Sequence, residues 1–251
     1  MNTYRKLFFS LAILAASMAG ECAPWVLRAA AQEGSAPKFI VSNGTATGHC
    51  PDILHAIEQV DKDLRFSIAP IAMPIKRIEK EIQAGTQDIM CALLESPTRN
   101  EIAQRVSTPV YTVRERLVGL RGDEQAIFGF DDLARAGGLV ATQNGASYAQ
   151  KLREHQVKVD ESSSSVALHN IVRKRVRYFY INELTAIYYI KAEDLEDKLY
   201  LLPVIMGRTQ SYLWVGRQVD PEVFQKLDAA LAKLKKNGTL DRIYRSYGGT
   251  N

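Results

Sequence analysis

Three cysteines and four histidines are all that 251 residues offer as soft or borderline metal ligands. The histidines stand at 49, 55, 155 and 169, and only His49, Cys50 and His55 lie near one another. That is no ligand spacing for zinc or a related ion, so neither a metal nor a cofactor is expected. Long apolar runs are equally scarce. Beyond the N-terminus nothing approaches the roughly 20 apolar residues that cross a bilayer, which excludes a chain built of membrane helices. Charge of one sign is also missing: the formal net charge is +4, and removing Arg5 and Lys6 leaves 4 − 2 = +2. A nucleic-acid binder needs a concentrated basic face. The nearest candidate, residues 173–177 (RKRVR), reads as a solvated helix end running into an edge strand.

What is present fits a folded globular protein, with 46% hydrophobic and 24% charged residues. Arg5 and Lys6 precede an apolar run from Leu7 to Ala19 and then small residues, the pattern of a secretory signal. Residues 1–19 are expected to be removed, with a cut as late as Ala31 as the alternative, giving a soluble protein exported to the periplasm. A cut beyond Cys22, such as the one after Ala31, leaves Cys50 and Cys91. An even count in an oxidising compartment reads first as a disulfide.

Strand-like and helical segments alternate along the rest of the chain, which predicts an α/β fold with largely parallel sheets. KFIVS (38–42) reads as the first strand and 51–64 as a helix, with Ile53, Leu54, Ile57 and Val60 at 3–4 spacing. RFSIAPI is the next strand, PIKRIEKEIQAG (74–85) a helix opened by proline and closed by glycine, and DIMCALL a strand buried on both faces. After the extended piece 107–122 the rhythm restarts, and a second extended piece spans 210–218. The last helix is framed by Asp220 as N-cap, Pro221 in its first turn and Gly238 beyond its end. Two α/β units joined by two extended crossings predict two lobes with a two-strand hinge and a ligand cleft between them. The lobes are expected at 36–117, 118–212 and 213–251, the last completing the first.

Four motifs carry a family resemblance: GHCPDILHAI (48–57), IEKEIQAGTQDIMCALLESPTRNE (78–101), VATQNGASYAQKL (140–152) and LDAALAKLKKNGTLDRIYRSYGG (227–249). In this order they resemble the periplasmic solute-binding proteins of family 3, the polar amino-acid receptors of ABC importers, over essentially the whole mature chain. The resemblance implies a type II two-lobed fold, each lobe a mainly parallel sheet flanked by helices. It also implies a monomeric, non-enzymatic receptor that captures a small carboxylate-bearing or polar metabolite and delivers it to an ABC permease. Because the family's first and third strands are neighbours, a Cys50–Cys91 bridge is feasible.

In the family the arginine of the Thr-Pro-x-Arg motif grips the ligand's carboxylate, and here that position is Arg99. Thr98 and Glu101 read as a capping box that puts Arg99 in a first helical turn, where a guanidinium fork recognises a carboxylate bidentately. The alternative is a surface arginine paired with Glu95 or Glu101. From the second lobe Asn144, Gly145, Ala146 and Ser147 precede a helix; Gly145 permits close backbone approach and Ser147 offers its hydroxyl. Where the family holds an ammonium with an acidic residue, this chain has Asn182, which disfavours an ordinary amino acid. The first loop is shortened to NGTATG (43–48), and the family's serine is replaced around Ala92 to Leu94. Asn43 and Leu94 complete the expected ligand-binding set. Glu95 is left to face solvent, to pair with Arg77 or Lys76, or to face the cleft.

Two other classes share this scaffold. A dehydratase like the periplasmic cyclohexadienyl dehydratases needs a positioned general acid, for which Glu95 or Glu183 would have to serve. An accessory or interaction protein would have a cleft that no longer takes metabolites. Fold alone does not separate the three.

Overall fold

The computed structural model describes residues 23–123, 125–145 and 147–249. The predicted leader core and Ala146 lie outside the described residues. Strand β1 (Trp25–Gln32) opens the fold, and a hairpin of β2 (Ile40–Ser42) and β3 (Thr45–Thr47) leads into α1 (His49–Val60). The first half continues with β4 (Leu64–Met73), α2 (Ile75–Gln83), β5 (Ile89–Leu93), α3 (Pro97–Ile102) and β6 (Ala103–Arg105). Strand β7 (Tyr111–Leu120) crosses into the second half. There follow α4 (Phe130–Ala136), β8 (Leu139–Gln143), α5 (Tyr148–Glu154), β9 (Lys158–Ser162), α6 (Ser164–Val172), β10 (Tyr178–Asn182), α7 (Glu183–Ala192) and β11 (Leu199–Leu201). Strand β12 (Gly207–Gly216) crosses back, and α8 (Pro221–Lys236) and α9 (Thr239–Ser246) finish the chain.

The main sheet runs β4-β1-β5-β12-β7-β10-β8-β9, with β6 on β12 and β11 on β7. Pairing is parallel on both flanks, β1 with β4 and β5, and β8 with β9 and β10. It turns antiparallel at the crossing, where Tyr111 to Glu115 of β7 faces Ser211 to Gly207 of β12. One core gathers Leu117, Val140, Leu168 and the run Tyr178 to Ile181. Another gathers Ile53, Ile57, Ile89, Leu213, Leu227 and Leu231. A third gathers Ile78, Ile82, Met90 and Trp214. The two extended crossings read from the sequence are therefore β7 and β12, and the α/β architecture is the expected one.

Several local readings change. The first strand of the sheet is β1, not 38–42: residues 25–32 pair along β4 and bury Leu27, Ala29, Ala30 and Ala31. The first lobe's chain thus begins ahead of residue 36, and a cut after Ala31 would remove all but the end of β1. NGTATG is the turn and second strand of the β2–β3 hairpin, while the connection from β1 to α1 runs from 33 to 48. Strand β10 is no edge: it lies between β7 and β8, and Arg177 ahead of it pairs with Asp123 at 3.1 Å, leaving Arg173, Lys174 and Arg175 solvated. The cap of α3 is Ser96, whose Oγ accepts from the Arg99 amide at 3.3 Å, not Thr98. Proline at 97 fixes this choice, since it suits the first helical position and carries no N–H that needs a cap. On α8, Asp220 caps at Glu222 N and Gly238 takes φ +74, as read.

Candidate functional site

A cavity of about 100 Å³ lies where the C-terminal ends of β1, β5, β8 and β10 meet. Helices α3 and α5 and the loop after β1 close round it, so both halves of the molecule contribute. Ligand sites of open α/β sheets form at such carboxyl ends, because the backbone there is free to bend into loops and helix starts. Of the residues picked from sequence, Arg99, Leu94, Gly145, Ser147 and Asn182 all line it. Asn43 does not: it sits exposed at the hairpin turn with φ +50.

Arg99 is inside, its side chain 15% exposed, and neither Glu95 nor Glu101 holds it. Its Nη1 donates to the Leu94 carbonyl at 2.6 Å, and its Nε stands 3.1 Å from Glu79 Oε1. Glu79, on the buried face of α2, also accepts from Lys76 at 3.0 Å. Burial pulls the Arg99 pKa down and Glu79 offsets part of that loss. With Nε beside Glu79 and Nη1 on the Leu94 carbonyl, Nη2 is the nitrogen left to a ligand. Glu95 lies elsewhere: it pairs with Arg105 at 3.3 Å and accepts from Asn100.

On the opposite wall, Ser147 occupies the cap position of α5 yet its hydroxyl makes no capping bond. Asn182 is more committed. Its Oδ1 accepts from Thr185 N at 2.9 Å and caps α7, while its amide NH₂ is turned towards the Tyr148 hydroxyl. The atom that could have met an ammonium is therefore engaged, while the NH₂ group, beside the Tyr148 hydroxyl, is the part that can donate to an oxygen.

Several lining residues carry no sequence motif. Lys38, 8% exposed, donates through Nζ to Gln32 Oε1. Burial, with Arg99 nearby, pushes its pKa down to about 7. His49 is 2% exposed, and burial with the charge of Lys38 brings its pKa to about 3, so the imidazole is neutral. Its ring packs edge-on against Tyr111 at 5.1 Å, and its Nδ1 makes no hydrogen bond. The only clue in the sequence was a charge heading the apolar run Phe39 to Val41. Burial pushes up the Tyr111 and Tyr148 hydroxyls as well, and both stay protonated. Among the described lining residues none is aspartate or glutamate.

The floor is cross-linked. Cys50 in the first turn of α1 bonds to Cys91 on β5, with 6.0 Å between the α-carbons, and their neighbours His49 and Ala92 both face the cavity. Above it, Gln143 Nε2 donates to the Gly34 carbonyl at 2.8 Å, joining β8 to the loop after β1. Glu183, the other acid considered for catalysis, is buried between Arg114 at 2.8 Å and Arg116 at 2.5 Å.

The family model for bacterial extracellular solute-binding proteins, family 3, matches residues 27–250. No curated protein matches the sequence. Among solved structures, the GluR0 ligand-binding core in complex with L-glutamate superposes with TM-score 0.76 at 16% identity, over 90% of this chain and 99% of that one. A histidine kinase sensor domain similar to periplasmic binding proteins gives 0.75 at 18%, covering 90% and 97%. An ancestral amino acid-binding protein, a precursor of cyclohexadienyl dehydratase, gives 0.73 at 22%, covering 88% and 94%. At these identities the likeness speaks for the fold.

Proposed function

This chain belongs to the bacterial extracellular solute-binding proteins of family 3, and from that premise we propose that it is an exported receptor for a small carboxylate. The carrying observation is the cavity itself, which both halves line and which offers Arg99 without a carboxylate among its described lining residues. Closure of two lobes about β7 and β12 brings Arg99 to one side of the ligand, with Ser147 and Asn182 on the other. Each wall alone gives half the contacts, so the ligand favours the closed form by the contacts that only this form supplies. Handing the ligand to an inner-membrane ABC permease completes the role.

Turnover is not part of this reading. A dehydratase needs an acid beside the leaving group, and the two acids considered for it are engaged outside the cavity, Glu95 with Arg105 and Glu183 with Arg114 and Arg116.

The test is a thermal-shift screen of the mature, oxidised protein against monocarboxylates, dicarboxylates, aromatic acids and amino acids, repeated with Arg99→Ala. A carboxylate that raises the melting temperature of the wild type and loses its effect in the variant supports the reading. A hit that Arg99→Ala leaves intact overturns the role of Arg99. No hit from any carboxylate overturns the receptor reading and favours an accessory protein with a partner to be sought by pull-down.

A further inference from the structure

The cavity holds two cations, and only one of them has a counter-ion. Arg99 stands against Glu79. The ammonium of Lys38 touches a neutral acceptor, Gln32 Oε1, and no acidic side chain of the described residues pairs with it. A buried, unpaired ammonium opposes folding, and a chain keeps one where something else compensates it. The neighbouring His49 Nδ1, buried and without a hydrogen bond, is a second unsatisfied polar group in the same wall. Across the cavity stand the Asn182 NH₂, beside the Tyr148 hydroxyl, and the Ser147 hydroxyl, which makes no capping bond. The charged and amide groups are thus arranged to donate, and nothing among the described lining residues supplies a negative charge for an ammonium.

We infer that Lys38 is a second anion-binding residue, and that the ligand is a short dicarboxylate lacking an ammonium group, one carboxylate at Arg99 and the other at Lys38. This rests on the carboxylate reading above and narrows it. A volume of about 100 Å³ limits such a ligand to a short carbon chain. A zwitterionic amino acid brings a positive charge next to two cations in a site of low dielectric, where like charges repel strongly. A monocarboxylate satisfies Arg99 and leaves Lys38 unpaired.

Protonation follows from the same geometry. The charged and titratable groups coupled to Lys38 are Arg99 from α3 and His49 from α1, with Glu79 behind Arg99 on α2 and Tyr111 of β7 packed on His49. Of these, Lys38 is the group that changes charge near neutrality. A dianion binds the protonated form, so binding takes up a proton above about pH 7.

Isothermal titration calorimetry with malonate, succinate and glutarate, against propionate, butyrate, alanine and glutamate, tests this on wild type, Lys38→Met and Arg99→Ala at pH 6 and pH 8.5. The expected result is that one dicarboxylate binds roughly 10- to 100-fold tighter than the matching monocarboxylate, the range of a hydrogen bond to a charged group. Lys38→Met should lose far more dicarboxylate than monocarboxylate affinity, so that the advantage disappears, and the wild-type advantage should shrink at pH 8.5. Lys38→Gln, which keeps a polar donor, guards against a packing effect and should also lose the advantage. Two outcomes overturn the inference while the carboxylate reading stands: mono- and dicarboxylates of equal affinity that need Arg99 and ignore Lys38, or tightest binding by an amino acid. If no carboxylate binds the wild type, both fall together.

Discussion

Lys38 also makes a claim about stability. Its folded pKa lies near 7 against an ordinary 10.5 for a free lysine. Below pH 7 both states carry the charge and the folded chain bears the whole penalty of burying it. Between pH 7 and 10.5 the unfolded chain binds the extra proton, so stability rises with pH across that window. Ligand-free Lys38→Met should therefore melt about 4–8 °C above the wild type at pH 6, with the gap narrowing towards pH 10, as calorimetry at several pH values would read. A melting point unchanged at every pH would mean the ammonium is solvated rather than buried. Legibility differed among residues for physical reasons. Arg99 and Asn182 stand in motifs whose spacing survives in the chain, whereas Lys38 and Glu79 meet the site only through the packing of their elements. Glu79 in particular looks like an ordinary helix-surface charge at i,i+3 from Lys76.

At the scale of elements, α3 shows how a short helix positions a functional side chain. It has only six residues and none of them is buried, so propensity and packing contribute little and the cap matters more. Ser96→Ala should cost about 1 kcal/mol of stability and weaken carboxylate binding, because the same turn that Ser96 closes carries Arg99. Asp220→Ala, which removes a cap far from the cavity on the long helix α8, should cost a similar amount and leave affinity unchanged; denaturant melts and calorimetry on the pair separate the two effects. Helices with clear 3–4 apolar spacing, α1 and α8 above all, were legible from sequence. Strand β1 was not, since its alanine-rich run of WVLRAAAQ has weak strand propensity and follows directly on the leader pattern. It becomes a strand because β4 and β5 pair with it on both sides.

For the whole molecule, the disulfide and the Gln143–Gly34 bond act on the same cavity from below and above. Cys50 and Cys91 are 41 residues apart in sequence, so the bridge removes a sizeable loop from the unfolded ensemble. The double variant Cys50→Ala/Cys91→Ala should lose about 2–4 kcal/mol in urea denaturation. Its ligand affinity should fall as well, since His49 and Ala92, which flank the bridge, line the site. Loss of stability with affinity intact would show that the bridge serves the fold alone. The crossing carries its own polar core: Glu115 on β7 accepts from Tyr180, from Lys151 at 2.6 Å and from Thr209 at 3.2 Å, tying α5, β10 and β12 to one buried carboxylate.

The sequence by itself determined the alternation of strands and helices, the two crossings, the last helix and the family, because these rest on local periodicity, caps and spaced motifs. It also singled out Arg99, Ser147 and Asn182. Tertiary structure decided what those residues work beside. Only the packing of α2 on α3 gives Arg99 its counter-ion. Only the pairing of β1 with β5 sets the loop that buries Lys38. Only the fold of the chain between β1 and α1 leaves that lysine without a negative partner, since electrostatic partnership depends on distance in space and on exclusion of water, and neither is written along the chain.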